Sequence, residues 1–205
     1  MPDTTTNVFS HLRTKLANAV LDLRFGALLR GGKETSHPQL GAYATNNSSY
    51  SVIDTLFRGR VKPSDVLVDV GCGKGRVINA WLAAGYANSM IGVELDTGIA
   101  AKTRERLRRY PTVSILSGDI IANFPSRGTL FYLFNPFNAA MMSSFKETLK
   151  DCISRRSRGE ATVIYYNCRH IEVFADPACE IEYGKLEHPY AVIHVFAGRA
   201  RGPDE

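Results

Sequence analysis

Hydrophobic residues along the chain change period at regular intervals, and the changes mark out the elements. Val8, Leu12, Leu16, Ala19, Leu23 and Ala27 recur at helical spacing and predict an amphipathic helix ending at Gly31-Gly32, before a polar, turn-rich stretch over 33–47. Ser49 to Leu56 reads as a second helix leading to Lys62-Pro63-Ser64. Short apolar runs then alternate with helical patterns. Val66 to Val70, Met90 to Leu95, Thr112 to Leu116, Thr129 to Phe134 and Ala161 to Tyr166 have the near-continuous apolar character of strands buried on both faces. Between them, Val77, Ile78, Trp81 and Leu82 share one helical face, as do Met141, Met142, Phe145 and Leu149. Ile171 to Phe174 predicts part of a short helix, and the pair Cys179 to Tyr183 and Ala191 to Ala197 a closing hairpin. This order predicts an α/β fold: a doubly wound, mostly parallel, Rossmann-like sheet with a C-terminal antiparallel hairpin and a helical N-terminal cap. The expected division is a cap and linker over 1–60 packed on a core over 61–205, with a frayed end from Arg199.

Composition adds limits. With 205 residues, 44% hydrophobic and 22% charged, the chain supports one compact domain with a sizeable core. Cysteines 72, 152, 168 and 179 have no paired metal spacing, so free thiols in a reducing, cytoplasmic compartment are expected, with no metal. No apolar run approaches transmembrane length and no leader pattern opens the chain, so no membrane partner is expected. The net charge of +5 is concentrated in Arg104, Arg106, Arg108 and Arg109, and in Arg155, Arg156 and Arg158. Such clusters read either as a nucleic-acid surface or as cations offsetting helix dipoles, and the second is the more common state.

The chemistry is concentrated where the first strand meets the next helix. Val66-Leu67-Val68-Asp69-Val70 runs into Gly71-Cys72-Gly73-Lys74-Gly75 and then Arg76-Val77-Ile78. Glycines at alternate positions suit a tight turn that lets a ligand approach the backbone, although a ligand-free strand-to-helix turn uses the same residues. A dinucleotide fingerprint needs G-x-G-x-x-G, whereas here Arg76 holds the place of the third glycine. Asp69, two residues ahead of Gly71, would repel a pyrophosphate and attract a cation. An acidic strand end followed by G-x-G-x-G resembles the first motif of the class I S-adenosylmethionine-dependent methyltransferases.

That resemblance implies S-adenosyl-L-methionine as cofactor and assigns further residues. Glu94 ends the second strand nineteen residues after Gly75, where an acid can take both ribose hydroxyls, while Asp96 and Thr97 are better placed to cap the following helix. Asp119, after the turn Ser117-Gly118, falls where the family places an acid for the adenine amino group, with the Ile120 N–H meeting the ring; a plain turn role also fits Asp119. Asn135-Pro136-Phe137 at the end of the fourth strand resembles the N/D-P-P-Y/F signature of amine-directed methyltransferases, without its second proline. Such an asparagine accepts hydrogens from a neutral amine while the aromatic stacks alongside. Asn135 at an N-cap with Pro136 at the first helical position is an equally good reading, and it would favour an O-methyltransferase.

Leu21-Asp22-Leu23-Arg24-Phe25-Gly26, then Tyr43 and Tyr50, and finally Tyr165-Tyr166-Asn167, extend the likeness over nearly the whole chain to a group of small bacterial methyltransferases with a helical N-terminal extension. It implies that Tyr43 and Tyr50 close over the cofactor, unless they simply pack the lid. His170, just beyond the fifth strand, is a candidate substrate contact, and His188 before Pro189 belongs to the hairpin loop. The expected activity is methyl transfer to an amine-type acceptor, a protein lysine or small amine rather than nucleic acid. A sugar or metabolite hydroxyl is the alternative, and a noncatalytic S-adenosylmethionine-binding module the third possibility.

Overall fold

The computed structural model describes residues 4–29 and 48–197. Two N-terminal helices, α1 (Thr4–Arg24) and α2 (Tyr50–Phe57), precede β1 (Val66–Val70), α3 (Arg76–Ala83), β2 (Ser89–Glu94), α4 (Thr97–Leu107), β3 (Val113–Ser117), β4 (Leu130–Phe134), α5 (Ala139–Ser154) and β5 (Glu160–Tyr166). A short 3-10 helix (Ile171–Phe174) then leads to the hairpin of β6 (Cys179–Lys185) and β7 (Pro189–Phe196). The strands form one sheet in the order β3-β2-β1-β4-β5-β7-β6, parallel from β3 to β5, with β7 antiparallel to both its neighbours. This is the expected doubly wound sheet. The order in which successive parallel strands are added reverses between β1 and β4, so the carboxyl ends of those strands open a crevice.

Alternation along the strands builds a core on each face. Leu67, Tyr132, Ile164 and Tyr166 pack with Ile53, Leu56 and Phe57 of α2 and Ile78 and Trp81 of α3. Val68, Val70, Phe131, Leu133 and Val163 pack on the other face with Met142, Phe145, Leu149 and Ile153 of α5. Burial on both sides is why these strands read as continuous apolar runs.

Two helices depart from the sequence reading. The first, α1, ends at Arg24, and the Gly26 N–H donates to the Leu23 carbonyl at 2.9 Å with Gly26 at φ 92, so the helix stops earlier than expected; Gly31-Gly32 lie outside the described residues. Its docked face also differs. Asp22 and Phe25 are buried at 1% and 3% exposure, whereas Leu12, Leu16, Val20 and Leu23 stand 59–66% exposed. The period correctly marks a helix, but the fold buries a different side of it. The second departure is α5, which starts at Ala139 with the Asn138 side chain accepting the Met141 N–H at 3.0 Å. Asn135-Pro136-Phe137 is therefore a loop ahead of the helix, and Asn135 is not its cap.

Candidate functional site

The crevice above β1 is floored by the glycine loop, and its neighbours fix the loop atom by atom. Gly71 and Cys72 both donate their N–H groups to the Val93 carbonyl, at 2.9 and 3.0 Å, which ties the loop to β2. Gly73 donates to Glu94 Oε2 at 2.8 Å, and its carbonyl accepts the Thr103 hydroxyl at 2.9 Å. Arg106 Nη2 donates to the Lys74 carbonyl at 2.6 Å. Gly71, Gly73 and Gly75 have φ of 74, 51 and 76, values that only glycine takes without strain. Gly75 has a second constraint, because a Cβ there would lie 3.0 Å from Thr103 Cγ2 on α4. Across the crevice, a Cβ on Gly71 would lie 3.5 Å from Pro136 Cβ, so the loops after β1 and β4 lie close together.

Beneath the loop lie two buried acids. Asp69 is 2% exposed, and its Oδ2 has no hydrogen-bond partner among the described residues. Burial, reinforced by the charge of Glu94, pushes its carboxyl up to about 8. Glu94 is also raised by burial, against the lowering effect of the N–H groups of Asp96 and Gly73. An unpaired buried carboxylate is costly, and a cation beside it offsets that cost. The donor set therefore fits a ligand with fixed positive charge and opposes an anionic one.

The remaining sequence candidates divide. Asp119 follows β3, and its Oδ1 accepts the N–H groups of Ile121 and Ala122 at 2.8 and 3.0 Å, a turn role; Ile120 is buried beside it. Asn135 is buried, with φ 41, and its Oδ1 accepts the Tyr165 hydroxyl at 3.2 Å. That hydroxyl accepts the His170 N–H at 3.3 Å, so the loop after β5 buttresses the loop after β4. Phe137 is buried and packs near Phe145 at a ring separation of 6.3 Å. His188 reaches from the hairpin to rings at the ends of β4 and β5, 5.9 Å from Phe134 and 5.4 Å from Tyr166. Asp96 caps α4, as its position predicts. Tyr43 lies outside the described residues. Tyr50 is buried, and its hydroxyl donates to Asp22 Oδ1 at 2.9 Å and accepts from Asn79 Nδ2 at 3.2 Å, a packing contact behind the loop.

That contact belongs to a network the sequence reading missed. Arg76, the residue after Gly75, forms a two-point ion pair with Asp22 of α1, at 3.1 and 2.7 Å, and its Nη2 also reaches the Leu29 carbonyl. Arg106 joins the same cluster through Asn79 Oδ1 and the Phe25 carbonyl. The N-terminal helix is thereby anchored to the back of the glycine loop. The one local signal was a carboxylate inside Leu21-Asp22-Leu23, since a buried charge requires a partner. Other arginines of the basic clusters act the same way: Arg104 binds the Ile115 carbonyl, and Arg156 those of Gly128 and Ser126.

No protein-family model and no curated protein matches the chain. Solved structures do. An RNA methyltransferase from Salinibacter ruber, determined with S-adenosyl-L-homocysteine, is 21% identical with a TM-score of 0.56, covering 78% of this chain and 98% of that one. The pyocyanin biosynthetic protein PhzM is 16% identical with a TM-score of 0.56, over 78% of this chain and 55% of its own. Human N-acetylserotonin methyltransferase, determined with S-adenosylmethionine, is 11% identical with a TM-score of 0.56, over 73% of this chain and 52% of its own. The chain thus spans about half the length of the last two. At these identities the likeness is one of fold: the seven-stranded Rossmann-like sheet on which methyltransferases are built.

Proposed function

We propose that the chain is an S-adenosylmethionine-dependent methyltransferase that directs the methyl group to an amine nitrogen held at Asn135. The observation that carries the reading is the unpartnered, buried oxygen of Asp69 beneath the glycine loop. S-adenosylmethionine carries a sulfonium and an ammonium, and either relieves that buried charge, whereas a pyrophosphate would aggravate it. Glu94 would take the ribose hydroxyls, because each of its oxygens keeps a lone pair beyond the one that accepts a loop N–H. Asp119 and the Ile120 N–H would meet the adenine, and Tyr43 would border the cofactor from the N-terminal segment, whereas Tyr50 is committed to Asp22 and Asn79 behind the loop and has no part in the proposed site.

When bound, the cofactor supplies an already activated methyl group, so positioning and water exclusion dominate the protein's task. Asn135 would accept hydrogens from a neutral amine and orient its lone pair. Its carboxamide is held by the Tyr165 hydroxyl, Pro136 brings the loop close to Gly71, and Phe137 is buried in the core near Phe145, where it anchors the loop instead of stacking on the acceptor. The O-methyl alternative drew on Asn135 as a helix cap, a role that Asn138 fills.

A nucleobase nitrogen of RNA is the second reading, favoured by the likeness to the Salinibacter ruber enzyme over 98% of its length. Against it, Arg104, Arg106 and Arg156 bind backbone carbonyls instead of forming a phosphate track. The test is incubation with labelled S-adenosylmethionine and a cell lysate separated into protein, small-molecule and RNA fractions. Label in an amine product supports the proposal, and label in RNA moves it to the second reading. Cofactor binding without label in any fraction leaves a noncatalytic binding module.

A further inference from the structure

The face of α1 that points away from the core carries Leu12, Leu16, Val20 and Leu23, all more than half exposed, and on the helical wheel they fall within an arc of about 80°. The opposite face carries the docking contacts: Asn18 Oδ1 accepts the Tyr50 N–H, Asp22 pairs with Arg76, and Phe25 is buried. The stripe is therefore not the side that holds the helix to the domain. Leu28, 44% exposed, follows just beyond its end.

Charge decides what fits this stripe. Arg13 and Arg24 border it on one side and Lys15 on the other, all three exposed. The only acid of α1 is Asp22, which is buried and paired with Arg76. An apolar stripe with cations on both edges and no exposed acid is the pattern of a helix lying in the headgroup region of an anionic bilayer. A second copy fits poorly, because pairing two such faces would bring like charges together along both edges. The stripe also offers only roughly half of the ~800 Å² per partner that a stable dimer buries. Residues 30–47 supply only Leu40 and Tyr43 as large apolar side chains to cover it.

We infer that α1 is a membrane-surface anchor, docking the enzyme on anionic phospholipid with the apolar stripe facing the acyl boundary. Among the described residues no helix is long and apolar enough to cross a membrane, and this geometry requires none. The expectation of no membrane partner rests on the lack of a spanning stretch, and the proposal concerns surface contact alone. The anchored helix is the one whose Asp22 holds Arg76 behind the glycine loop, so the candidate site stays next to the surface.

The test is co-sedimentation of the full chain with vesicles of equal parts phosphatidylglycerol and phosphatidylcholine, against phosphatidylcholine alone. Binding to the anionic vesicles and release by high salt are expected. The double variant Leu16→Glu, Leu23→Glu should weaken binding at least about tenfold, while Arg13→Gln and Lys15→Gln each cost about fivefold and flatten the salt dependence. These positions are exposed, so thermal unfolding should be unchanged, and circular dichroism checks that α1 persists. No sedimentation with anionic vesicles overturns the proposal, as does equal binding by the double leucine variant. A dimer at sedimentation equilibrium that Leu16→Glu dissociates overturns it in favour of self-association.

Discussion

Replacing Asp69 by asparagine keeps the shape of the side chain and removes its ability to ionise, so it isolates the charge chemistry beneath the glycine loop. With the carboxyl pushed up to about 8, the free protein at pH 7 holds it protonated by about 10:1. A fixed cation in contact with it, taken at about 4 kcal/mol for a separation of ~4 Å and an effective dielectric of 20, lowers that value by about three pH units and leaves the carboxyl ionised at neutral pH. Binding at pH 7 should then release close to one proton. Affinity should rise roughly eightfold from pH 6 to 7 and less steeply as pH approaches 8. Calorimetry of S-adenosylmethionine in two buffers of different ionisation enthalpy reads the proton directly. Asp69→Asn should release none, and should bind about tenfold more weakly than the natural chain at pH 6 and about several hundredfold more weakly at pH 8. S-adenosylhomocysteine, which keeps the ammonium and lacks the sulfonium, shows which charge is felt. Zero proton release by the natural chain, with Asp69→Asn matching its affinity at every pH, would refute the reasoning.

The same group predicts the pH dependence of the free protein. Its folded value lies above the unfolded one, so the stability it contributes is full below about pH 4 and is lost as pH rises through about 8, on the order of 5 kcal/mol in all; denaturant titrations across that window should flatten in Asp69→Asn. Asn135→Gly suits φ 41 and deletes the carboxamide, so methyl transfer should fall by orders of magnitude with cofactor affinity nearly unchanged. Asn138→Ala should do the reverse, lowering stability by about 1 kcal/mol with the rate intact. Gly75→Ala forces a Cβ to 3.0 Å from Thr103 at φ 76, and should destabilise the chain by about 1–3 kcal/mol in urea titrations while weakening cofactor binding. Arg76→Met strands the buried Asp22 and should cost about 3–5 kcal/mol by the same measurement.

Much of the fold was legible because strands buried on both faces leave a continuous apolar run that glycine and proline punctuate. Val66 to Val70 matches β1, and the other strands lie within two residues of their expected ends. The glycine loop was legible for a local reason, since its spacing dictates its backbone. Long-range pairings were less so. Nothing near Arg76 announces Asp22, fifty-four positions earlier, and an arginine bound to a carbonyl, as Arg104 is to Ile115, has the same sequence as one in solvent. Periodicity identified α1 but not the side it presents, because the docked face depends on one buried carboxylate and an aromatic ring instead of the leucine row. At Asn135, Asn-Pro-Phe-Asn offers two caps in one turn, and only the geometry assigns the second of them.

Gly92 lies in the middle of β2, opposite Asp69, and a Cβ there would meet Cys72 Sγ at 2.7 Å. The middle residue of Gly71-Cys72-Gly73 thus projects into space that the adjacent strand leaves vacant. The packing couples the two positions: a side chain at 92 requires a smaller residue at 72, and with glycine already at 92 that strand has nothing left to give up if 72 grows. Among descendants of this sequence, the two columns should drift together, and a design that grafts the loop onto another sheet must transfer both.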